Sequence, residues 1–179
     1  MYQLLHKIVK TGWPTVPVEA LQKAEAADVE VLGKQLKTAV NSYFKGSLAI
    51  REVDAGSTNA CEQELVALSN PYYDIERFGI HFVASPRHAD MLMVTGPVSR
   101  NMVEGLKRTY EATPTPKIVV AVGDDAISGG IFRGSYAVLD GVQAVVPVDF
   151  HIPGDPPSPK TILAALLYII ETVGKKDIR

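Results

Sequence analysis

Lys117-Ile118-Val119-Val120-Ala121-Val122-Gly123-Asp124-Asp125-Ala126-Ile127-Ser128-Gly129-Gly130 joins an unbroken apolar run to a polar, glycine-bearing loop. A strand with one wet face alternates apolar and polar residues, but here every position from Ile118 to Val122 is apolar. The run therefore reads as a strand buried on both faces, the condition of a parallel sheet covered by helices. The loop after it lies at the strand's carboxyl end, where such sheets collect their binding sites.

The same order recurs on either side. Leu48 to Val53 reads as a first strand and leads into Asp54-Ala55-Gly56-Ser57-Thr58-Asn59-Ala60-Cys61-Glu62, a small-residue loop holding the only cysteine. Asn59 and Glu62 have the spacing of a capping box, which predicts a helix start with Cys61 in its first turn. Ile80 to Ala84 and Met91 to Thr95 are further short apolar runs, separated by Ser85-Pro86-Arg87-His88-Ala89-Asp90. Leu21, Val29, Leu32, Leu36 and Val40 recur at helical spacing from Glu19 onward. Ser99 to about Thr113 predicts another helix, and Val142 to Val148 a fifth strand. His151 to Pro157 reads as a rigid turn. Ser158 and Pro159 then open a last helix to about Val173, before Gly174.

Strands alternating with helices predict an α/β fold of the flavodoxin-like three-layer kind, with a mostly parallel sheet. The loops 54–62, 123–130 and 151–157 are expected to meet in one crevice. Residues 1–18, with Leu4, Leu5, Ile8 and Val9 followed by Gly12, Pro14 and Pro17, read as an N-terminal arm. Residues 19–179 read as a single α/β domain.

Composition narrows the function classes. Lys and Arg number 18 against 20 Asp and Glu, so the net charge of -2 gives no electrostatic case for nucleic acid. One cysteine forms no internal disulfide, which fits a reducing compartment. The N-terminus lacks the pattern of a signal peptide, so the expected location is cytoplasmic. Ile162 to Ile170 is the longest apolar run and falls far short of the roughly 20 residues of a membrane span. Membrane association is therefore expected to pass through partners.

The three loops resemble those of the small subunit of membrane-bound, energy-converting nickel-iron hydrogenases, and of the related complex I subunit that holds the last iron-sulfur cluster. The resemblance covers most of the chain. It rests on Asp54 to Glu62, Glu76-Arg77-Phe78-Gly79, Ser85 to Asp90, Gly129-Gly130-Ile131-Phe132, Pro147-Val148-Asp149 and Pro153-Gly154-Asp155-Pro156-Pro157. What it implies is a subunit of an oxidoreductase complex at the cytoplasmic face of the cell membrane, peripheral to it. The implied partners are a hydrogenase-like large subunit, an iron-sulfur subunit and membrane-arm subunits.

The resemblance also implies four cysteine ligands for one [4Fe-4S] cluster. Those positions read Thr58, Cys61, Asp125 and Asp155 here. Soft thiolates match iron and sulfide, whereas a hydroxyl and two carboxylates do not. The expectation is thus a subunit without its cluster or any other cofactor, retained for assembly or coupling, with no catalytic residue of its own. The alternative is the ordinary role, an electron carrier with one [4Fe-4S] cluster passing electrons to a hydrogenase or quinone site. A third reading takes Gly56 to Asn59 as a phosphate or flavin cradle, which Asp54, Asp124, Asp125 and Asp155 oppose electrostatically.

Other residues read plainly. Asp125 and Asp155, if adjacent, must repel and raise a carboxyl pKa unless a salt bridge, water or hard cation intervenes. Cys61 reads as a small buried hydrophobe rather than a nucleophile. Arg87 and His88 read as interface residues. His6, His81 and His151 show no metal-ligand spacing, so no metal site is expected.

Overall fold

The computed structural model describes residues 28–56 and 58–177. The predicted arm at 1–18, and the helix predicted from Glu19 as far as residue 27, lie outside the described residues. Among those described, β1 (Leu48–Asp54), β2 (Ile80–Phe82), β3 (Met91–Thr95), β4 (Ile118–Val122) and β5 (Phe150–Ile152) form one sheet. All pairs are parallel, in the order β2-β1-β3-β4-β5. This is the doubly wound flavodoxin-like order. The helices are α1 (Val29–Phe44), α2 (Ala60–Ala67), α3 (Val103–Ala112), the short α4 (Asp124–Ser128) and α5 (Pro159–Asp177).

Alternation along the strands explains the unbroken apolar runs. Leu48, Ile50, Met91, Met93, Ile118, Val120 and Val122 face one core, shared with α1, α2 and α5. Their neighbours Val53, Leu92, Val94, Val119 and Ala121 face a second core, closed by Leu106 of α3 and Ala126 of α4. Each position of β3, β4 and β5 is therefore dry on whichever side it points, and the result is three layers.

The register brings the carboxyl ends of the strands level. Asp54 pairs with Thr95, Thr95 with Val122, and Val122 with Ile152. With strands about 4.8 Å apart, the loops that follow start side by side along one edge. On the first face α1 lies along α5, with Leu32 against Ala164 and Leu167. Asp28 caps α1 by accepting the Glu30 N–H at 3.1 Å.

Several expectations change. Val142 to Val148 is not a strand: Val142–Ala144 is a 3-10 turn, and Val142, Val146 and Val148 fill the second core as part of the β4–β5 connection. A buried crossover and a buried strand give the same apolar run, and only tertiary contacts separate them. The fifth strand comes just after it. Asp149 N–H donates to the Val119 carbonyl, and its carboxylate accepts the Val119 N–H, both at 2.8 Å. His151 and Ile152, expected in a turn, belong to β5.

The helix expected from Ser99 begins at Val103, because Ser99 is held by its N–H to the Ala55 carbonyl and by a bridge to Val138. The second strand ends at Phe82 rather than Ala84. The polar loop after β4 is largely helical, as α4 and the turn Gly130–Phe132. Asn59 makes no side-chain cap on α2: its φ of 71° is left-handed, whereas a capping residue needs extended backbone. Finally, α5 runs on through Gly174, whose bare Cα takes the ring of Tyr43.

Candidate functional site

Cys61 is in the first turn of α2, reached from the end of β1 through residues 55–59. At the head of that loop the Asp54 carboxylate accepts the Gly56 N–H at 2.7 Å. Asp125 is the second residue of α4, which starts directly after β4. Asp155 lies in the turn between β5 and α5. Three strands thus each deliver one of these residues to the same edge.

Gly123 shows how closely the loops approach. It has φ +87°, and a Cβ there would collide with the Cys61 sulfur and stand 3.4 Å from the Gly154 carbonyl. Asp124 ties the second loop to the third: its N–H donates to the Gly154 carbonyl at 2.9 Å, and its carboxylate accepts the Gly154 N–H at 3.0 Å. Gly123 N–H donates to the Ile152 carbonyl at 2.8 Å. These bonds fix the floor of the crevice with backbone groups.

Electrostatics there are one-sided. The Cys61 thiol is pushed up to about 12, first by burial and then by Glu62, Asp125, Asp155 and Asp124. Asp125 is raised by burial, then by Asp155, Asp124 and Glu62. Glu52, on β1, is raised by burial and by Glu62, against a lowering contribution from Arg51. The thiolate and the Asp125 carboxylate are both disfavoured, first because burial strips water from the charge and then because each would add negative charge to a group already acidic.

The structure therefore brings together Cys61, Asp125 and Asp155. Cys61 and Asp125 are buried and Asp155 is exposed, while Thr58 is exposed on the loop before α2. Arg87 and His88 stand elsewhere. Their turn, Pro86–His88, lies in a connection that leaves β2 by the Val83 N–H on the Ile50 carbonyl and returns by the Asp90 N–H on the Ala49 carbonyl. That is four residues below Asp54, roughly 13 Å along the strand. Both residues are exposed and separate from the crevice.

Among the described residues no group of three or more His, Cys, Asp or Glu is arranged to hold a metal ion. The donor set that Thr58, Cys61, Asp125 and Asp155 offer is one thiol, one hydroxyl and two carboxyls, which does not fit a thiolate-held [4Fe-4S] cluster. The sequence pointed to Cys61, Asp125 and Asp155 but missed the depth of Glu62 and His151, both buried. Burial holds the His151 imidazole below its ordinary pKa, so it is neutral, and its Nε2 has no partner among the described residues. The only sequence signal for His151 was its place in a short apolar stretch, Phe150-His151-Ile152.

Comparison with known proteins places this geometry. The pattern of the family described as NADH ubiquinone oxidoreductase, 20 Kd subunit, matches residues 59–169. The chain is 50% identical to an uncharacterized protein of Methanocaldococcus jannaschii over 71% of this chain and 85% of that one. It is 44% identical to the probable membrane-bound hydrogenase subunit mbhJ of Pyrococcus furiosus, over 69% of this chain and 74% of that one. Formate hydrogenlyase subunit 7 of Escherichia coli is also 44% identical, over 74% of this chain and 51% of its own length.

Among solved structures, a chain of the membrane-bound sulfane sulfur reductase, an archaeal respiratory membrane complex, superposes with TM-score 0.66 and 32% identity, covering 76% of each chain. Half of the 127 aligned residues shared with one relative, a family pattern spanning all three crevice loops from Asn59 onward, and a common three-layer fold give one conclusion: the chain belongs to the NADH ubiquinone oxidoreductase 20 Kd subunit family.

Proposed function

We propose that this chain is a small-subunit component of a membrane-associated, energy-converting oxidoreductase or ion-translocating complex, and that it acts there as a structural and coupling subunit without a [4Fe-4S] cluster. Membership of a larger assembly is supported by the relatives, which are named as subunits of hydrogenase, hydrogenlyase and quinone oxidoreductase systems. Loss of the cluster is supported by one observation above the rest. At three of the four family ligand positions the side chain is Thr58, Asp125 or Asp155, and the remaining thiol, Cys61, is held protonated by its burial and then by the carboxylates around it.

In this reading the crevice face docks a hydrogenase-like large subunit, with an iron-sulfur subunit and membrane-arm subunits completing the complex. Contact with the membrane passes through those partners, on the cytoplasmic side. Arg87 and His88 serve a second contact on the sheet's lower flank. No described helix is long and apolar enough to cross a membrane, which agrees with attachment through partners. The chain's own residues supply rigidity: the paired Asp124–Gly154 bonds hold two loops in register whatever fills the crevice.

The test is to purify the intact complex anaerobically from native membranes and to count iron and acid-labile sulfide per chain. Amounts accounted for by the partner subunits alone support the proposal. Four extra irons and four sulfides, with a reducible low-potential EPR signal, restore the electron-carrier role instead.

A further inference from the structure

His151 is 5% exposed, and its Nε2 has no hydrogen-bond partner among the described residues. Its neighbours Phe150 and Ile152 belong to the first core, so the imidazole turns to the other side of the sheet. There its register partner is Ala121, and Val119, Ala126, Val146 and Val148 of the second core make that side apolar. A charged imidazole carries two N–H donors and a positive charge, and this position offers Nε2 no acceptor. The neutral ring fits the core, whereas the charged ring is costly there.

The charged groups of the surrounding elements are engaged elsewhere. The Asp149 carboxylate, two residues before, accepts the Val119 N–H at 2.8 Å. Lys117, directly before β4, donates to the Tyr110 carbonyl and lies over the Tyr110 ring. On α4 the Asp124 carboxylate accepts the Gly154 N–H, and the Asp125 carboxyl lies against Gly130. Glu104, Lys107, Arg108 and Glu111 of α3 are exposed. Among the described residues none of these groups bonds to His151, and burial is what holds its proton off.

β5 has three residues and pairs on one side only. Directly after it come the bonds that set the third crevice loop. Gly123 N–H donates to the Ile152 carbonyl at 2.8 Å, Asp124 N–H to the Gly154 carbonyl at 2.9 Å, and Gly154 N–H to the Asp124 carboxylate at 3.0 Å. A short edge strand is a unit that opens without the rest of the fold. We propose that His151 is a proton-sensitive latch on the third crevice loop: while its ring is neutral β5 stays docked, and protonation releases β5 together with the turn 153–157 behind it. The latch is independent of the cluster-free reading. Above about pH 6.5, the ordinary value for histidine, the ring is neutral in closed and open forms alike and the loop stays closed. Below it the open form binds a proton that the closed form refuses, so each further pH unit favours opening by up to about tenfold.

The test is amide exchange read by NMR on the full-length chain at pH 7.5 and pH 5.5, expressed as protection relative to the unfolded chain. The reporters are the amides of Gly123, Asp124 and Gly154. In wild type their protection is expected to fall about tenfold at pH 5.5. His151→Phe keeps a ring in the core but binds no proton, and is expected to abolish the fall. His81→Phe, at the partly exposed histidine of β2, should leave it in place. Equal falls in wild type and His151→Phe overturn the proposal, as does no fall in wild type. Protection at the three amides equal to that of β1 and β3 at both pH values also overturns it, because the loop would then open only with the whole fold. Circular dichroism at pH 7.5 establishes that His151→Phe is folded. Should that variant not fold, the wild-type ring carries the test: a His151 imidazole signal still at its neutral position at pH 5.5 supports the latch, and one that titrates near pH 6.5 with the three amides still protected overturns it.

Discussion

The sulfur of Cys61 occupies the space that a side chain on Gly123 would need. One residue lies in the first turn of α2 and the other directly after β4, at the start of α4, so this single approach fixes the distance between two of the three crevice loops. The sulfur is enclosed there, with the Gly123 backbone against it and with burial and the neighbouring carboxylates favouring the thiol form.

Gly123→Ala is expected to destabilise the protein by about 2–4 kcal/mol, combining left-handed strain on a residue with a Cβ and overpacking against sulfur. Cys61→Ala in the same background removes the overpacking and leaves the strain. Urea denaturation of the two single variants and the double variant should therefore show a favourable coupling between the sites of about 1 kcal/mol or more. Additive losses would mean that the contact is not made.

Cys61 should resist alkylation. Thiolate is the reacting form, and a thiol raised to about 12 is almost fully protonated at neutral pH. Iodoacetamide labelling of the folded chain is expected to be at least about a hundredfold slower at pH 8 than in denaturant, with a rate that keeps climbing to pH 11. Asp125→Asn should speed it, because it removes one of the charges that hold the proton on sulfur. A rate that levels off below pH 9 would contradict this picture.

The fold was legible because its signals are repeated. Runs such as Met91 to Thr95 and Ile118 to Val122 are dry on both faces, and no other sheet explains several of them alternating with helices. Val142 to Val148 failed because burial alone does not distinguish a strand from a packed crossover. Asn59 failed because capping depends on backbone conformation as well as side-chain type, and φ is not written in the sequence. The convergence of Cys61, Asp125 and Asp155 followed from topology, since all three come just after parallel strands. The burial of Glu62 and the orphaned oxygen of Asp125 did not, because they depend on side-chain packing between loops far apart in the chain.

Asp125 gives a pH dependence whose sign is fixed. Its folded-state pKa is raised above the unfolded value, so folding favours its protonated form. The contribution is complete below the ordinary carboxylate range and is lost as pH rises through the raised value. Asp125→Asn should consequently stabilise the isolated chain at pH 7 and have little effect near pH 3, where aspartate is protonated folded or unfolded. Melting temperatures across that range decide the point. A variant that is less stable at pH 7 than at pH 3, relative to wild type, would show that Asp125 already has a cationic partner within the chain.

Ser158 opens α5 by accepting the Thr161 N–H at 3.2 Å, and its hydroxyl also meets the Thr161 hydroxyl at 2.8 Å. Ser158→Ala should cost about 1 kcal/mol, the usual value of a lost N-cap. Ser158→Asp should recover most of it in an ordinary helix, since a carboxylate caps well and favours the positive end of the dipole. Here the same change adds charge next to the turn that carries Asp155, so the recovery is expected to be smaller at low salt than at high salt. Denaturation of both variants at two ionic strengths measures that difference. An equal recovery at both would show that the acidity of the crevice does not extend to the start of α5.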